Sequence, residues 1–463
     1  MYQYKGLEDT IAAIATPAGQ GGIGIVRISG PQAIAVTDAI LRLGSGKRLA
    51  ECKSYSVHHG LVLQKDDIID EVLVTLMRSP KSYTTEDVVE INCHAGPAVV
   101  RAVLDAVLTA GARLAQPGEF TKRAFLHGRL DLTQAEAVMD LIGAQTENFL
   151  RVAQHQLKGE LSDELKAIRE ELLELYTMVE ALINFPEEGI EAQSRQQILT
   201  RIRIPQERVM RLLESSKSGR ILKEGLRIVL CGKPNVGKSS LLNGLLKQHR
   251  AIVTDIAGTT RDVLEESVQI KGIPIQLVDT AGIIQPRDTI EEEAVKRSNL
   301  YINSADLVLL VLDYSSPQEE ADTRLMEQLK GRHVLVVVNK MDLGHQLDIS
   351  SPIKIFGREH VMTVSALASE SIRELEIKVV EIIGKVKNFD THGILISNIR
   401  HIKALQLAQD NLQNACRLMN ENTSLEFISE EIKGAINQLD AITGRNIDED
   451  LLDRIFSQFC IGK

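Results

Sequence analysis

At 463 residues with 44% hydrophobic side chains, the chain is long enough for about two or three domains with sizeable cores. A net charge of −10 and a pI near 5.7 exclude a global basic field, so any nucleic-acid contact must be local or shared with a partner. The absence of tryptophan and the 3% aromatic content argue against a stacking platform for bases, and 5 cysteines without a C-x-x-C pair argue against a zinc site or disulfide framework.

The opening MYQYKGLEDT lacks the charged and apolar blocks of a signal peptide, and the longest apolar runs are strand-length. The expected location is cytoplasmic, with no membrane contact. Residues 1–120 are expected to form a compact α/β unit. Strands are predicted over 11–15 and 23–28, around the loop Pro17-Ala18-Gly19-Gln20-Gly21-Gly22. That loop lacks Lys-Ser and is not a second nucleotide site. A hairpin is predicted from 61–64 and 72–77 across an acidic turn at 65–70, then a strand at 88–93 and a helix at 98–110 ending on Gly111. Arg27 and Glu90 are charges inside apolar strands, each either satisfied within the fold or a ligand contact. Cys93-His94 reads as packing, since no matching ligand pair follows.

From Pro117 the pattern turns helical, with apolar residues at three- and four-residue intervals over 135–144 and 150–182. A further helix over 193–216 carries Arg195, Arg201, Arg203, Arg208 and Arg211, read as a solvated face in preference to an RNA contact. Residues 216–225 are predicted to be a linker.

The nucleotide chemistry begins at Leu226. A buried strand breaks into Gly232-Lys233-Pro234-Asn235-Val236-Gly237-Lys238-Ser239 and resumes as a helix through Leu241, Leu242 and Leu245. This G-x-x-x-x-G-K-S sits in the strand–loop–helix context that a phosphate-binding loop requires. The glycines bring backbone N–H groups against phosphate oxygens, Lys238 reaches the outer phosphates, and Ser239 can ligate magnesium. A second strand ends in Asp279-Thr280-Ala281-Gly282, placing Asp279 near magnesium through water and the Gly282 N–H near the γ-phosphate. A third ends in Asn339-Lys340-Met341-Asp342, whose carboxylate suits the N1–H and exocyclic amine of guanine and not adenine. Three such motifs in order, each after a strand, make a GTPase.

Thr260, in the polar segment 251–262, is the expected switch ligand to magnesium. Ras-like enzymes carry a water-orienting Gln after the Asp-x-x-Gly glycine; here that position is Ile283, so another group must place the water. Asp288 and Glu291-Glu292-Glu293 are the nearby carboxylates, which also suit an acidic first helical turn. Asn235 offers a side-chain oxygen beside the phosphates, as a monovalent-cation site requires. Helices are predicted at 317–330 and 369–385, within a doubly wound, mainly parallel sheet, and again at 398–420, 425–443 and 447–458.

GIGIVRISG, SYTTEDVVEINCHAG, QPGEFTKRAF, GKPNVGKSSLLN, DIAGTTRD, DTAG, NKMD and the terminal FCIGK together resemble the tRNA modification GTPase family MnmE (TrmE) over the full length. Thr85, in a position that is usually Gly, and Gln285-Pro286-Arg287 depart from the family pattern. The resemblance implies an N-terminal α/β folate-binding and dimerisation domain (1–120), a helical domain in two parts (121–222 and 387–463) and an inserted Ras-like P-loop G domain (223–386). It implies a homodimer working with an FAD-dependent protein to attach an aminomethyl or carboxymethylaminomethyl group to the wobble uridine of certain tRNAs. It places 5-formyl-tetrahydrofolate, or a related one-carbon folate, on Arg27, Glu90, Arg129 and Lys463. It places potassium on Asn235, Thr254, Ile256 and Thr259, and magnesium on Ser239 and Thr260. Assigned as catalytic are Glu291, Lys238 and Cys460. The GTP contacts are Asn235, Val236, Gly237, Lys238, Ser239, Ser240, Thr254, Asp255, Ile256, Ala257, Gly258, Thr259 and Thr260, then Asp279, Thr280, Ala281, Gly282, Asn339, Lys340, Asp342, Ser365 and Ala366. The competing reading is a regulatory GTPase acting as a ribosome-assembly or RNA-binding module, which has no reason to carry the folate positions or CIGK.

Overall fold

The computed structural model describes residues 8–65, 67–184, 192–248, 265–279, 300–387 and 393–463. They divide into two compact units: Met1–Ile142 with His155–Ile202 and Asp410–Lys463, and Gly143–Gln154 with Arg203–Gln409.

In the first unit, alternating apolar residues produce a seven-stranded sheet in the order β3-β4-β5-β6-β2-β1-β7. Its strands are β1 (Ile11–Ile14), β2 (Gly24–Ser29), β3 (Leu41–Leu43), β4 (Ser56–Gln64), β5 (Asp67–Met77), β6 (Val88–Cys93) and β7 (Arg113–Leu114). All pairings are antiparallel except β1 with β7. Val26 and Ile28 of β2 are fully buried in a core shared with α1 (Ala33–Ile40) and α2 (Pro97–Thr109). Arg27, between them, faces the other side and stands in register with Glu90 of β6.

Two expectations change here. The hairpin reverses at Lys65, in the left-handed region at φ 59°, and the acidic residues 67–70 belong to β5. Asp70 stays in the strand because its carboxylate accepts from the His94 backbone N–H at 2.8 Å and pairs with its ring at 2.7 Å. Helix α1 was not anticipated, although Ala33, Ile34, Val36, Thr37 and Ile40 bury one face, because it passes into β3 without a Gly or Pro stop.

The helical run is α3 (Glu119–Leu126), α4 (Leu132–Gly143), α5 (Glu147–Lys158), α6 (Glu160–Asn184) and α7 (Ala192–Glu224). Helix α7 continues through the stretch expected to be a linker. Ser215 accepts from the Ile396 N–H at 3.2 Å, and a Cβ on Gly219 would meet the Ile396 carbonyl at 2.2 Å. The small residues there permit close packing of helix against chain; they do not loosen it.

In the second unit the strands are β8 (Leu226–Cys231), β9 (Glu265–Ile270), β10 (Ile273–Asp279), β11 (Leu307–Asp313), β12 (Val334–Asn339) and β13 (Val361–Thr363). Their order is β13-β12-β11-β8-β10-β9, parallel throughout except for the β9–β10 pair. The helices are α8 (Lys238–Gln248), α9 (Glu320–Gln328), α10 (Ser350–Phe356) and α11 (Ser369–Lys387), and α12 (Ile399–Asn420) belongs to this unit up to Gln409 and to the first from Asp410. Ile228 and Leu230 pack with Leu241, Leu245, Ile372 and Val379 on one face, and Val229 and Cys231 with Met326 and Leu329 on the other. Burial on both faces explains the continuous apolar runs of β11 and β12. The doubly wound parallel sheet is as expected, and its strands end, at their carboxyl ends, where ligands bind in such folds.

Back in the first unit, α13 (Leu425–Thr443) pairs antiparallel with α6. Leu161, Leu165, Ile168, Leu172, Leu175 and Val179 form the four-three spaced seam of α6. Ser429 bonds Glu180 near one end, and Arg169 Nε meets Asp440 at 2.5 Å near the other. The chain closes with α14 (Glu449–Phe456) and Phe459, which pack on Leu132 and Ala135 of α4.

Candidate functional site

The phosphate loop joins β8 to α8. Gly232 lies at φ 143°, where an added Cβ would sit 2.3 Å from the Val311 carbonyl. Gly237 lies at φ 95°, with Asn339 Nδ2 2.2 Å from where its Cβ would be. Only glycine fits either position without displacing backbone or the Asn339 amide. Asn235 takes φ 65° and is exposed. Lys238 is buried at the start of α8 and donates to the carbonyls of Gly232 at 2.8 Å and Lys233 at 2.7 Å. Burial holds its pKa below the ordinary lysine value, against the pull of Asp279. Two carbonyls therefore hold the ammonium folded over the loop, a place that outer phosphate oxygens can take over.

Ser239, one residue on, donates to Asp279 Oδ2 at 3.2 Å. Asp279 is 3% exposed at the end of β10. A hydroxyl and a carboxylate oxygen this close are hard donors of the kind magnesium takes. Thr254, Asp255, Ile256, Ala257, Gly258, Thr259, Thr260, Thr280, Ala281, Gly282, Asp288 and Glu291 lie outside the described residues.

Asn339, at the end of β12, is 2% exposed and spans two loops. Its Nδ2 donates to the Val236 carbonyl at 2.9 Å, and its Oδ1 accepts from the Ala366 N–H at 3.0 Å. The amide thus ties the phosphate loop to the segment 364–366, a strut role that spacing alone does not reveal. Lys340 takes φ 67° and pairs with Asp313 at 2.5 Å. Asp342 lies exposed in the short turn Met341–Leu343, and Ser365 is buried beside Ala366. Val236 is buried and Ser240 is exposed. Lys233 was missed: Asp322 at 2.8 Å and Glu319 at 3.1 Å anchor it to the start of α9. Burial works against that charge, but the two carboxylates raise its pKa on balance. Cys231 below is buried, its thiol pushed up to about 12, and is inert.

The first unit holds a second constellation. Arg27, Glu90, Arg129 and Lys463 line a single cavity of about 360 Å³, with Met77, Tyr83, Leu130, Val138 and Leu157 among its walls. Arg27 Nε meets Glu90 Oε1 at 2.8 Å, and Arg27 Nη1 donates to the Gly462 carbonyl at 3.1 Å. The charges inside the apolar strands are therefore partnered and also face the cavity. Arg129 donates to the Tyr83 carbonyl at 2.9 Å and covers the Tyr83 ring at 4.8 Å. Gly462 lies at φ 94° with its Cβ position 2.3 Å from the Ile14 carbonyl, so the chain terminus lies close against β1. Burial and the nearby Arg27 lower the pKa of Lys463, against Glu90 and Cys460. Cys460 is exposed, and its carbonyl accepts from the Gly118 and Lys463 N–H groups. Tyr83 was missed; the signal was an aromatic residue on a polar loop just before the β6 strand.

Arg123 is 1% exposed and gathers Asp9 at 2.5 Å, Glu86 at 3.0 Å and Glu119 at 3.0 Å. Arg113 joins Asp9 and Glu119 at 2.8 and 2.6 Å. This network fixes the loop before β6 to α3. Sequence reasoning missed it, although Glu119 and Arg123 stand at i,i+4 on α3.

The chain matches known proteins over nearly its whole length. Residues 10–129 match the family model described as the GTP-binding protein TrmE N-terminus, and residues 132–460 match the MnmE helical domain. The tRNA modification GTPase MnmE of Alkaliphilus metalliredigens is 44% identical over 459 residues, covering 99% of this chain and 100% of that protein. The proteins of the same name from Clostridioides difficile and Bacillus subtilis are 44% and 43% identical, covering 99% and 98% of this chain and all of theirs.

Proposed function

This chain belongs to the MnmE family of tRNA modification GTPases, and from that premise we propose the finer chemistry. In this reading GTP hydrolysis is potassium-activated and serves the attachment of an aminomethyl or carboxymethylaminomethyl group to carbon 5 of the wobble uridine of certain tRNAs. The one-carbon unit comes from a tetrahydrofolate such as 5-formyl-tetrahydrofolate. A homodimer works in the cytoplasm with an FAD-dependent partner and tRNA. Among the described residues no helix is long and apolar enough to cross a membrane.

The observation that carries this reading is the single cavity shared by Arg27, Glu90, Arg129 and Lys463, residues drawn from both ends of the chain. Its volume of about 360 Å³ falls in the ligand-pocket range, and its apolar walls suit a ring system. Glu90 supplies a carboxylate for the donor edge of a pterin, while Arg27 and Lys463 supply cations at the same end.

In the nucleotide site the phosphate loop and Lys238 bind the phosphates, Asp342 reads guanine, and Ser239 and Thr260 hold magnesium, which offsets charge on the phosphates when bound. Asn235, with Thr254, Ile256 and Thr259, is assigned to potassium. Glu291 orients the attacking water in place of the side chain that Ile283 lacks. Cys460 is assigned a catalytic part beside the folate cavity.

Calorimetry with 5-formyl-tetrahydrofolate tests the reading: the native protein binds and Glu90→Ala does not. Absence of heat with the native protein overturns the folate assignment.

A further inference from the structure

A second cavity of about 660 Å³ shares Met77, Tyr83 and Arg129 with the folate cavity as lining residues, so the two lie side by side. The outer cavity adds Tyr55, Lys81, Ser82, Thr85 and His127. Its lining contains two permanent cations, Lys81 and Arg129, one histidine and no carboxylate. That balance is unusual in a chain whose net charge is −10.

Glu86 and Asp87, which follow the lining residue Thr85 in the chain, are engaged elsewhere. Glu86 is bound by Arg123 at 3.0 Å and by the Ser29 hydroxyl at 2.6 Å, and Asp87 accepts from the Ser79 N–H at 2.9 Å. The rim is also held in place. The Tyr55 hydroxyl donates to the Lys81 carbonyl at 2.6 Å, and the Ser82 hydroxyl donates to the Glu86 carbonyl at 2.6 Å. His127 Nδ1 donates to the Thr84 carbonyl at 2.7 Å. No ion pair of Lys81 or Arg129 is found among the described residues.

The cavity of about 360 Å³ takes a bicyclic ring and part of its linker, and the outer cavity beside it is where the rest of an elongated ligand would lie. Resting on the folate reading, we propose that the outer cavity is a polyanion subsite that selects folates carrying a γ-linked oligoglutamate tail, with Lys81 and Arg129 as its carboxylate contacts. Each added glutamate brings one more carboxylate to a rim that offers only cations, hydroxyls and a histidine. Semi-exposed ion pairs are individually weak, so selection arises from several acting together and is sensitive to salt.

The test is calorimetry on the full chain with 5-formyl-tetrahydrofolate as the monoglutamate and as the triglutamate, at low and high salt. The expected result is about tenfold tighter binding of the triglutamate at low salt, an advantage that shrinks at high salt. Lys81→Glu, on an exposed rim position, reduces the preference to about twofold or less, and Lys81→Ala gives an intermediate value. Equal affinities in the native protein, or a preference that survives Lys81→Glu, overturn the subsite while leaving the folate reading intact. Failure of both ligands to bind overturns both.

Discussion

Asn339 Nδ2 donates to the carbonyl of Val236 at 2.9 Å, so the residue that opens the base-recognition motif is hydrogen-bonded to the phosphate loop itself. Its other amide atom holds Ala366 at 3.0 Å. The Asn339–Asp342 motif and the phosphate loop are thus joined directly by a hydrogen bond.

Asn339 and Asp342 should therefore fail differently. Asn339→Ala leaves a buried carbonyl and a backbone N–H without their partner, at about 1–3 kcal/mol each. It should lower the melting temperature and weaken GTP and xanthosine triphosphate alike. Asp342→Asn, in an exposed turn, should leave stability unchanged, weaken GTP and admit xanthosine triphosphate. Nucleotide titrations paired with thermal melts separate the two. An Asp342→Asn protein that binds GTP like the native one removes the guanine assignment.

The proposed monovalent-cation site rests on Asn235, which is exposed in the phosphate loop. GTP hydrolysis should be faster in potassium than in sodium at equal ionic strength. Asn235→Ala should erase the difference with little change in GTP affinity. Equal rates in both salts exclude the site.

Stability of the first unit should depend on acid through Arg123. The Asp9 and Glu119 carboxylates pay a burial penalty, but Arg113 and Arg123 hold both below their ordinary values. Groups with lowered folded-state pKa stabilise above the unfolded value, about 4, and that contribution disappears as pH falls through the folded value. Thermal melts should decline from about pH 5 toward pH 3. Arg123→Met leaves three carboxylates together and should cost about 3–5 kcal/mol near neutrality, a deficit that narrows in acid as they protonate. A deficit independent of pH would show that packing, not charge, is what Arg123 contributes.

Much of the nucleotide site was legible because its chemistry is local. A Gly five residues before Gly-Lys-Ser, or an Asp closing an apolar run, has its meaning fixed by chain spacing. The second unit's sheet was legible for the same reason, through apolar runs such as β12 that are buried on both faces. What escaped depends on distant partners. The Ser-Gly stretch before Leu226 has a linker's composition, yet it is helical because Ile396 packs on Gly219. Glu86 and Asp9 look like surface acids until the fold brings Arg123 between them. The walls of the cavity proposed for folate come from residues as far apart as Arg27 and Lys463, which only the resemblance connected beforehand. Glu291, proposed as the catalytic carboxylate, and Thr260, proposed as the switch ligand, lie outside the described residues.

The central claim joins the GTPase to wobble-uridine chemistry, and mass spectrometry of tRNA nucleosides tests it most directly. Cells lacking this chain should lose the aminomethyl and carboxymethylaminomethyl groups at carbon 5 of the wobble uridine. The native gene should restore them, whereas Lys238→Ala, which removes the ammonium that Gly232 and Lys233 hold over the phosphate loop, should not. Wobble uridines with unchanged modification in the deletion cells would contradict the account.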